Sequence, residues 1–501
     1  MCSYLYELPT TGALAFSEYL IDKSASYIAE VSDTTEARAN LRAALKENKR
    51  SDEKDYLRLV KVRFAQVYQL EREIHHSLSR TPTHRTTHAT YSAVFSWRTT
   101  LSSTLFHNSP RLSFPSLDAE VAFTLLTYGF ALSNLARAVV VSLGTYETER
   151  GLSDADRRAK DDRLGFAVTL LCKTAGVFEY IAKEVLSGWV AARERALAAG
   201  LSCPHPPDLS REVLIGLSKM ALADAQNLAI RKLLTRAAME SVVTPGPPLP
   251  RSHPSPALAA KLHLECVALY TSARALVKTP GASRPALASH SSKSKFKLSI
   301  GKKDSDREGL GATEPGEEVA PELRRYLNDE VALHNALSHK WLGVDAGENG
   351  GSQQTGTAVG FLGWSKRELE DLKGGGSGMA AVGIASEREK DMRDTRRTRV
   401  HAELDGVSVF LKGYKRMNDS MSFQVVPPQS DLQAAIPAGR AAVSIRPYAK
   451  PTPAFGPGSP SYLQQMAEEL ERVQMEATTG ETSLTSPSRT QATYAGAGAY
   501  F

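Results

Sequence analysis

Between Ser116 and Lys278 the chain reads as four long blocks in which apolar and small residues recur at helical spacing, each block closed by glycine or proline. The first opens at Ser116-Leu117-Asp118-Ala119-Glu120, with acids at the positive end of the helix dipole, and runs to Leu143 ahead of Gly144. The second covers residues 161–199, with a kink expected at Gly176 or Gly188, and Pro204, Pro206 and Pro207 prevent its continuation. The third and fourth cover residues 208–242 and 255–278. Ala131, Ala136, Gly176, Ala221, Ala223 and Ala225 are small enough for close helix contact, as in tetratricopeptide-like hairpins. No strict repeat is legible, so the pattern predicts an irregular all-α hairpin solenoid. Strand signal is confined to two short stretches, 407–411 and 442–445.

The flanks follow the same grammar. Helices are expected at 13–31 and 35–46, and at 55–78, where Val60, Phe64, Val67 and Ile74 share a face. A Thr/His-rich loop fills 79–91, and Phe95-Ser96-Trp97-Arg98 starts a further helix to Leu105. Residues 279–321 form a low-complexity insert, expected to be a solvated disordered loop, with Lys293, Lys295, Lys297, Lys302 and Lys303 as a basic cluster. Helices return at 322–341, 358–373 and 386–417, separated by Gly-rich loops at 344–356 and after 373. The expected division is a helical domain at 1–428 and a Pro/Gly-rich flexible tail at 429–501. Within that tail Leu463, Met466, Leu470 and Val473 mark a short amphipathic helix at 461–477.

Composition narrows the function classes. Among 501 residues, 61 Lys+Arg against 55 Asp+Glu leave a net charge of +6, too mild for a dedicated nucleic-acid binder. Four dispersed cysteines exclude a disulfide scaffold and have no metal-ligand spacing. The opening MCSYLYELPTTG has no basic n-region or apolar h-region, so no secretory leader is expected. The apolar run 121–143 carries Asn134 and Arg137, which suits a buried helix and not a bilayer span. Catalytic constellations are missing. Gly374-Gly375-Gly376-Ser377-Gly378 lacks the Lys-Ser/Thr of a phosphate loop, and His84 and His88 have no acidic third ligand. The arginines at 393, 396, 397 and 399 read as a solvated helix face. The expectation is a binding protein, not an enzyme, with no cofactor and no metal.

Several segments carry a family resemblance. Asp118 to Leu126, continuing through Ser133-Asn134-Leu135-Ala136-Arg137, resembles the central helix of Bro-one domains. Ala175-Gly176-Val177-Phe178-Glu179-Tyr180 is similar to their Ala-Gly-x-Phe-x-Tyr signature. Met220 to Gln226 resembles their Met-Leu-Ala-Gln-Ala-Gln segment, with Ala221 and Asp224 departing from it. Asn418-Asp419 through Val426-Pro427 resembles the Asn-Asp-x-Ile-Tyr-x-x-x-Val-Pro ending of the domain. Lys340 to Glu348, Ala358 to Leu362, Lys366 to Leu369, Ile436 to Arg440 and Tyr494 to Phe501 resemble a fungal pH-response branch of that family.

The resemblance implies an all-α, boomerang-shaped domain and a non-enzymatic adaptor. It implies an ESCRT-III filament subunit of the Snf-seven class as partner, bound as an amphipathic helix in an apolar groove. It further implies components of a plasma-membrane pH-sensing complex as partners, and a role in ambient alkaline-pH signalling that leads to proteolytic activation of a transcription factor. General endosomal sorting in multivesicular-body traffic is the alternative role. The implied location is cytoplasmic, at plasma-membrane or endosomal ESCRT sites, with membrane association only through partners and no nucleic acid. For the groove, Leu186, Trp189 and Val190 follow the Ala-Gly-x-Phe motif, and Ile215, Lys219 and Leu222 share one helix face at i, i+4, i+7. A lysine on that face marks it as open to solvent.

Overall fold

The computed structural model describes residues 3–18, 28–47, 53, 54, 56, 94–102, 111–149, 151–200, 203–243, 245–278, 319–374, 387–450 and 460–482. All but Tyr56 of the expected helix at 55–78, the Thr/His-rich loop with His84 and His88, and most of the basic insert lie outside these residues.

The helices are α1 (Ile28–Glu47), α2 (Leu117–Leu143), α3 (Asp154–Tyr180), α4 (Leu186–Ala198), α5 (Arg211–Val243), α6 (Pro256–Lys278), α7 (Pro321–Asn349), α8 (Thr355–Gly374), α9 (Glu387–Met417), α10 (Gln429–Ala434) and α11 (Pro460–Thr482). From α2 onward each long helix packs chiefly on the next: α2 on α3, α3 on α5, α5 on α6, α6 on α7, α7 on α8 and α8 on α9. That succession is a helical-hairpin solenoid. Its first hydrophobic core lies among α2, α3, α5 and α6, and a second lies among α7, α8 and α9.

Local chemistry sets the helix ends. The Ser116 hydroxyl accepts from the Asp118 amide at 3.1 Å and caps α2. Ser153 does the same for the Asp156 amide at 3.1 Å, which starts α3 at Asp154, ahead of the expected 161. The irregularity expected at Gly176 or Gly188 falls between them, as one wide π-helical turn, Ile181–Val185. The loop expected at 344–356 is helical as far as Asn349, because Val344 and Ala346 are buried against the second core. The two helices expected before residue 47 are, where described, a 3-10 turn at Phe16–Glu18 and a single α1. Thr35 joins the two, its hydroxyl donating to the Val31 carbonyl at 2.9 Å and accepting from the Phe16 amide at 3.1 Å.

One segment changes class. Phe95–Arg98 is a β-strand, β1, paired antiparallel with β2, Arg111–Phe114. Phe95 and Trp97 are buried while Ser96 and Arg98 are half-buried, a period of two that the aromatic anchors mask in so short a run. The strand candidate at 407–411 belongs to α9, and 442–445 is extended without a strand partner.

Among the described residues three helical stretches are long and apolar enough to cross a membrane by length and composition, but 83%, 61% and 78% of their most apolar windows lie buried in the protein. In α2 the polar residues hold the N-terminal segment. Asn134 exchanges two 2.9 Å hydrogen bonds with the Tyr6 backbone, and Arg137 donates to the Ser3 carbonyl and to Asp391, each at 2.7 Å. Glu120 plays the same part for β1. It accepts from Arg38 Nε at 2.7 Å and from the Trp97 indole, and Trp97 stacks on Phe123 at 5.4 Å.

Arg38 and Glu120 are both almost wholly buried, so removing the carboxylate strands a cation in the core. Glu120→Gln is expected to lower the unfolding free energy by about 3 kcal/mol, read from the midpoint of urea denaturation.

Candidate functional site

α3, α5 and α6 lie side by side. The Ser218 hydroxyl donates to the Ala175 carbonyl at 2.8 Å, setting α5 against α3. The Gln226 amide donates to the Leu262 carbonyl at 2.9 Å, setting α5 against α6. Beyond α9 and α10, the stretch 436–450 returns as an extended strap across all three helices. The Arg440 amide donates to the Lys261 carbonyl of α6 at 2.9 Å. Gln226 of α5 then holds the strap twice: its Nε2 donates to the Arg440 carbonyl at 3.1 Å, and its Oε1 accepts from the Ala442 amide at 2.9 Å. The Arg446 amide donates to the Cys172 carbonyl of α3 at 3.1 Å. Tyr448 packs on Tyr180 with ring centroids 5.0 Å apart, and Lys450 sits 5.3 Å over the same ring. Gly176 makes the crossing of α3 feasible, since a Cβ there would run into the Arg446 carbonyl.

The strap crosses the face that the spacing had singled out. Ile215, Lys219 and Leu222 are all half-buried on one face of α5, and Gln226, Ala229 and Leu233 continue that face by steps of three and four. Ile215 lies eleven residues before Gln226, about 16 Å along the axis, and Leu233 lies about 10 Å beyond it. The strap therefore divides the face into two bays. The first holds Ile215, Lys219 and Leu222. The second holds half-buried Ala229 and exposed Leu233. Lys219 in the first and Lys232 beside Gly165 in the second give each bay a cation.

Leu186 and Trp189 are not on this surface. Trp189 is 0% exposed and edge-on to Phe114 at 5.6 Å, and both residues are buried in the first core. Val190 is exposed on α4. Leu233 escaped the sequence reading. Extending the i, i+4, i+7 series past Leu222 reaches Leu233; nothing in the sequence announces the strap.

Beneath α5 the interior is polar. Asp224 accepts from the Tyr270 hydroxyl at 2.5 Å and the Tyr326 hydroxyl at 2.6 Å. Arg399 of α9 donates to Glu330 at 3.1 Å and to Asn227 at 3.2 Å. His263 and His334 meet Nδ1 to Nδ1 at 2.9 Å. Burial pushes the Asp224 carboxyl up to about 7, against the lowering effect of both tyrosines, and pushes His263 down to about 3. Among the described residues no three His, Cys, Asp or Glu side chains form a metal cage.

The BRO1-like domain model matches residues 14–462, and the chain belongs to that family, the Bro-one family of the sequence resemblance. It is 36% identical over 529 residues to the pH-response regulator protein palC of Cryptococcus neoformans var. neoformans serotype D, covering 100% of both chains. To the palC of Yarrowia lipolytica it is 24% identical over 477 residues, 90% of this chain and 94% of that one. Among solved structures it resembles the ALIX BRO1 CHMP4C complex with a TM-score of 0.51 and 15% identity, over 90% of this chain and 96% of that one. ALIX in complex with the SIVmac239 late domain matches with a TM-score of 0.53 and 16% identity, over 96% of this chain and 56% of that one. These two likenesses concern the fold.

Gly176→Val is expected to lift the strap from α3 and to speed amide hydrogen exchange at Ala442 and Arg446 by about tenfold or more, with α5 and α6 still protected. A second expectation concerns Asp224, whose folded pKa lies above its ordinary value of 3.8. Its protonated form stabilises the fold at low pH, and that stability is lost as pH rises towards about 7. Asp224→Asn removes this slope, so its melting temperature gains on the wild type between pH 5 and pH 8 in parallel thermal scans.

Proposed function

We propose that this protein is a non-enzymatic adaptor of the palC kind, joining ambient alkaline-pH signalling to ESCRT-III. The observation that carries this reading is end-to-end similarity to a pH-response regulator, with 36% identity over 100% of both chains. The domain at 1–428 is the binding body, and the following segment is its continuation. In this reading the ESCRT-III subunit is of the Snf-seven class. Its amphipathic helix lays an apolar side along the α5 face, in the manner of helix-in-groove recognition. The face has what such a ligand needs: apolar side chains on a rigid helix, a cation in each bay for an acidic helix, and a strap that bounds the ligand's length. A solved relative in the same fold class is described as a BRO1 CHMP4C complex, which supports the kind of partner.

Components of a plasma-membrane pH-sensing complex complete the proposed partners. The protein would reside in the cytoplasm and be recruited to plasma-membrane or endosomal ESCRT sites. There it would support the proteolytic activation of a transcription factor.

Ile215→Asp is expected to weaken binding of a Snf-seven-class C-terminal helix by about tenfold or more at unchanged circular dichroism. Leu233→Asp reports on the second bay in the same titration. Undiminished binding in both variants would remove the α5 face from the proposal. In cells, a deletion strain is expected to fail on alkaline medium while vacuolar cargo sorting continues; the reverse pattern favours general endosomal sorting.

A further inference from the structure

At the end of α9 the chain makes one π-helical turn, Asn418–Ser422, and then passes through Phe423, whose φ of 51° lies in the left-handed region. A bulky side chain is strained there and stays only where its surroundings fix it. Asn418 supplies that fixing. Its Oδ1 accepts from the Gln424 amide at 3.0 Å and from the Thr355 hydroxyl at 2.8 Å. Its Nδ2 donates to the Gln424 carbonyl at 3.0 Å, and its own carbonyl accepts from the Phe423 amide at 2.8 Å. α8 supplies the floor. Gly356 and Gly360, one turn apart, carry no side chains, so the Val425 backbone and the Gln424 Cβ rest on the first, and the Val426 and Leu432 side chains rest on the second.

This clamp holds three apolar side chains outward: Met421 is 76% exposed, Phe423 74% and Val425 87%. A slack loop would fold such side chains inward, away from water. Here the strained backbone and a buried asparagine keep them out. Lys412, Lys415 and Arg416 are exposed on the last turns of α9, just ahead of them in the chain, and the exposed acids between residues 412 and 431 are Asp419 and Asp431.

The geometry points to a direct membrane contact, in which Met421, Phe423 and Val425 insert into the headgroup boundary of an anionic bilayer while Lys412, Lys415 and Arg416 meet its phosphates. The shape decides the occupant. A convex prong cannot cradle a partner helix as a groove does, but it is covered fully by a medium that closes around it. The basic residues select a negatively charged surface. This contact lies on α9 and α8, apart from the α5 face, and does not depend on the adaptor reading.

Co-sedimentation of the full chain with vesicles of phosphatidylcholine and phosphatidylserine tests it, with phosphatidylcholine alone as control. Binding to the anionic vesicles is expected, weakened by salt. It is expected to fall about tenfold or more in Phe423→Ser/Val425→Ser, and to fall also in Lys415→Glu/Arg416→Glu, with unchanged circular dichroism. The emission of Phe423→Trp, over that of the native tryptophans, is expected to shift to the blue on anionic vesicles. The proposal is overturned if the wild type does not pellet, if the double serine variant pellets as well as the wild type, or if the Phe423→Trp emission does not move. In the first case, loss of a captured protein in the serine variant would assign the prong to a protein partner instead.

Discussion

One amide side chain, Gln226 of α5, ties its own helix to two other parts of the molecule at once. Its nitrogen donates to α6 and to the strap, and its oxygen accepts from the strap two residues further on. A buried amide left without such partners costs about 1–3 kcal/mol, so the pairing of α5 with α6 and the seating of 436–450 are not independent. A solenoid of stacked hairpins normally holds each unit only to its neighbours. Here the strap adds a brace that spans α3, α5 and α6, and the candidate face takes its two-bay form from where that brace crosses.

The residues that carried the family resemblance turn out to be holders more than contacts. Gly176 and Tyr180 of the Ala-Gly-x-Phe-x-Tyr segment seat the strap on α3, and Gln226 seats it on α5. Asn418 clamps the prong. Phe178, from the same signature, is wholly buried and edge-on to Phe130 at 5.8 Å. Such positions identify a fold well, because packing and buried hydrogen bonds leave them few substitutes. The exposed residues around them, which would choose a partner, follow no comparable rule.

That difference also decides what could be read from the sequence alone. The long helices were legible because their signals are local: Ser116 as a cap, Gly144 as a stop, apolar residues at helical spacing between them. The β1–β2 pair was not, since four residues give too few alternations to separate a strand from a helix start. The strap has no period at all. Its hydrogen bonds go to carbonyls and one amide far away in sequence, as with Ala442 and Gln226 at a separation of 216. The groove reading mixed the two cases. Ile215, Lys219 and Leu222 share their face because helical spacing demands it, whereas Trp189 and Leu186 are buried in the core, Trp189 through a tertiary fit with Phe114 that spacing does not encode.

The strap also imposes an order of events during synthesis. Gln226 leaves the ribosome ahead of its partner Arg440 by 214 residues, about ten to forty seconds at usual elongation rates. Throughout that interval the nascent hairpins carry an unfilled amide and an uncovered glycine on one flank. The two-bay form of the α5 face therefore comes into being only when residues 436–450 have been made.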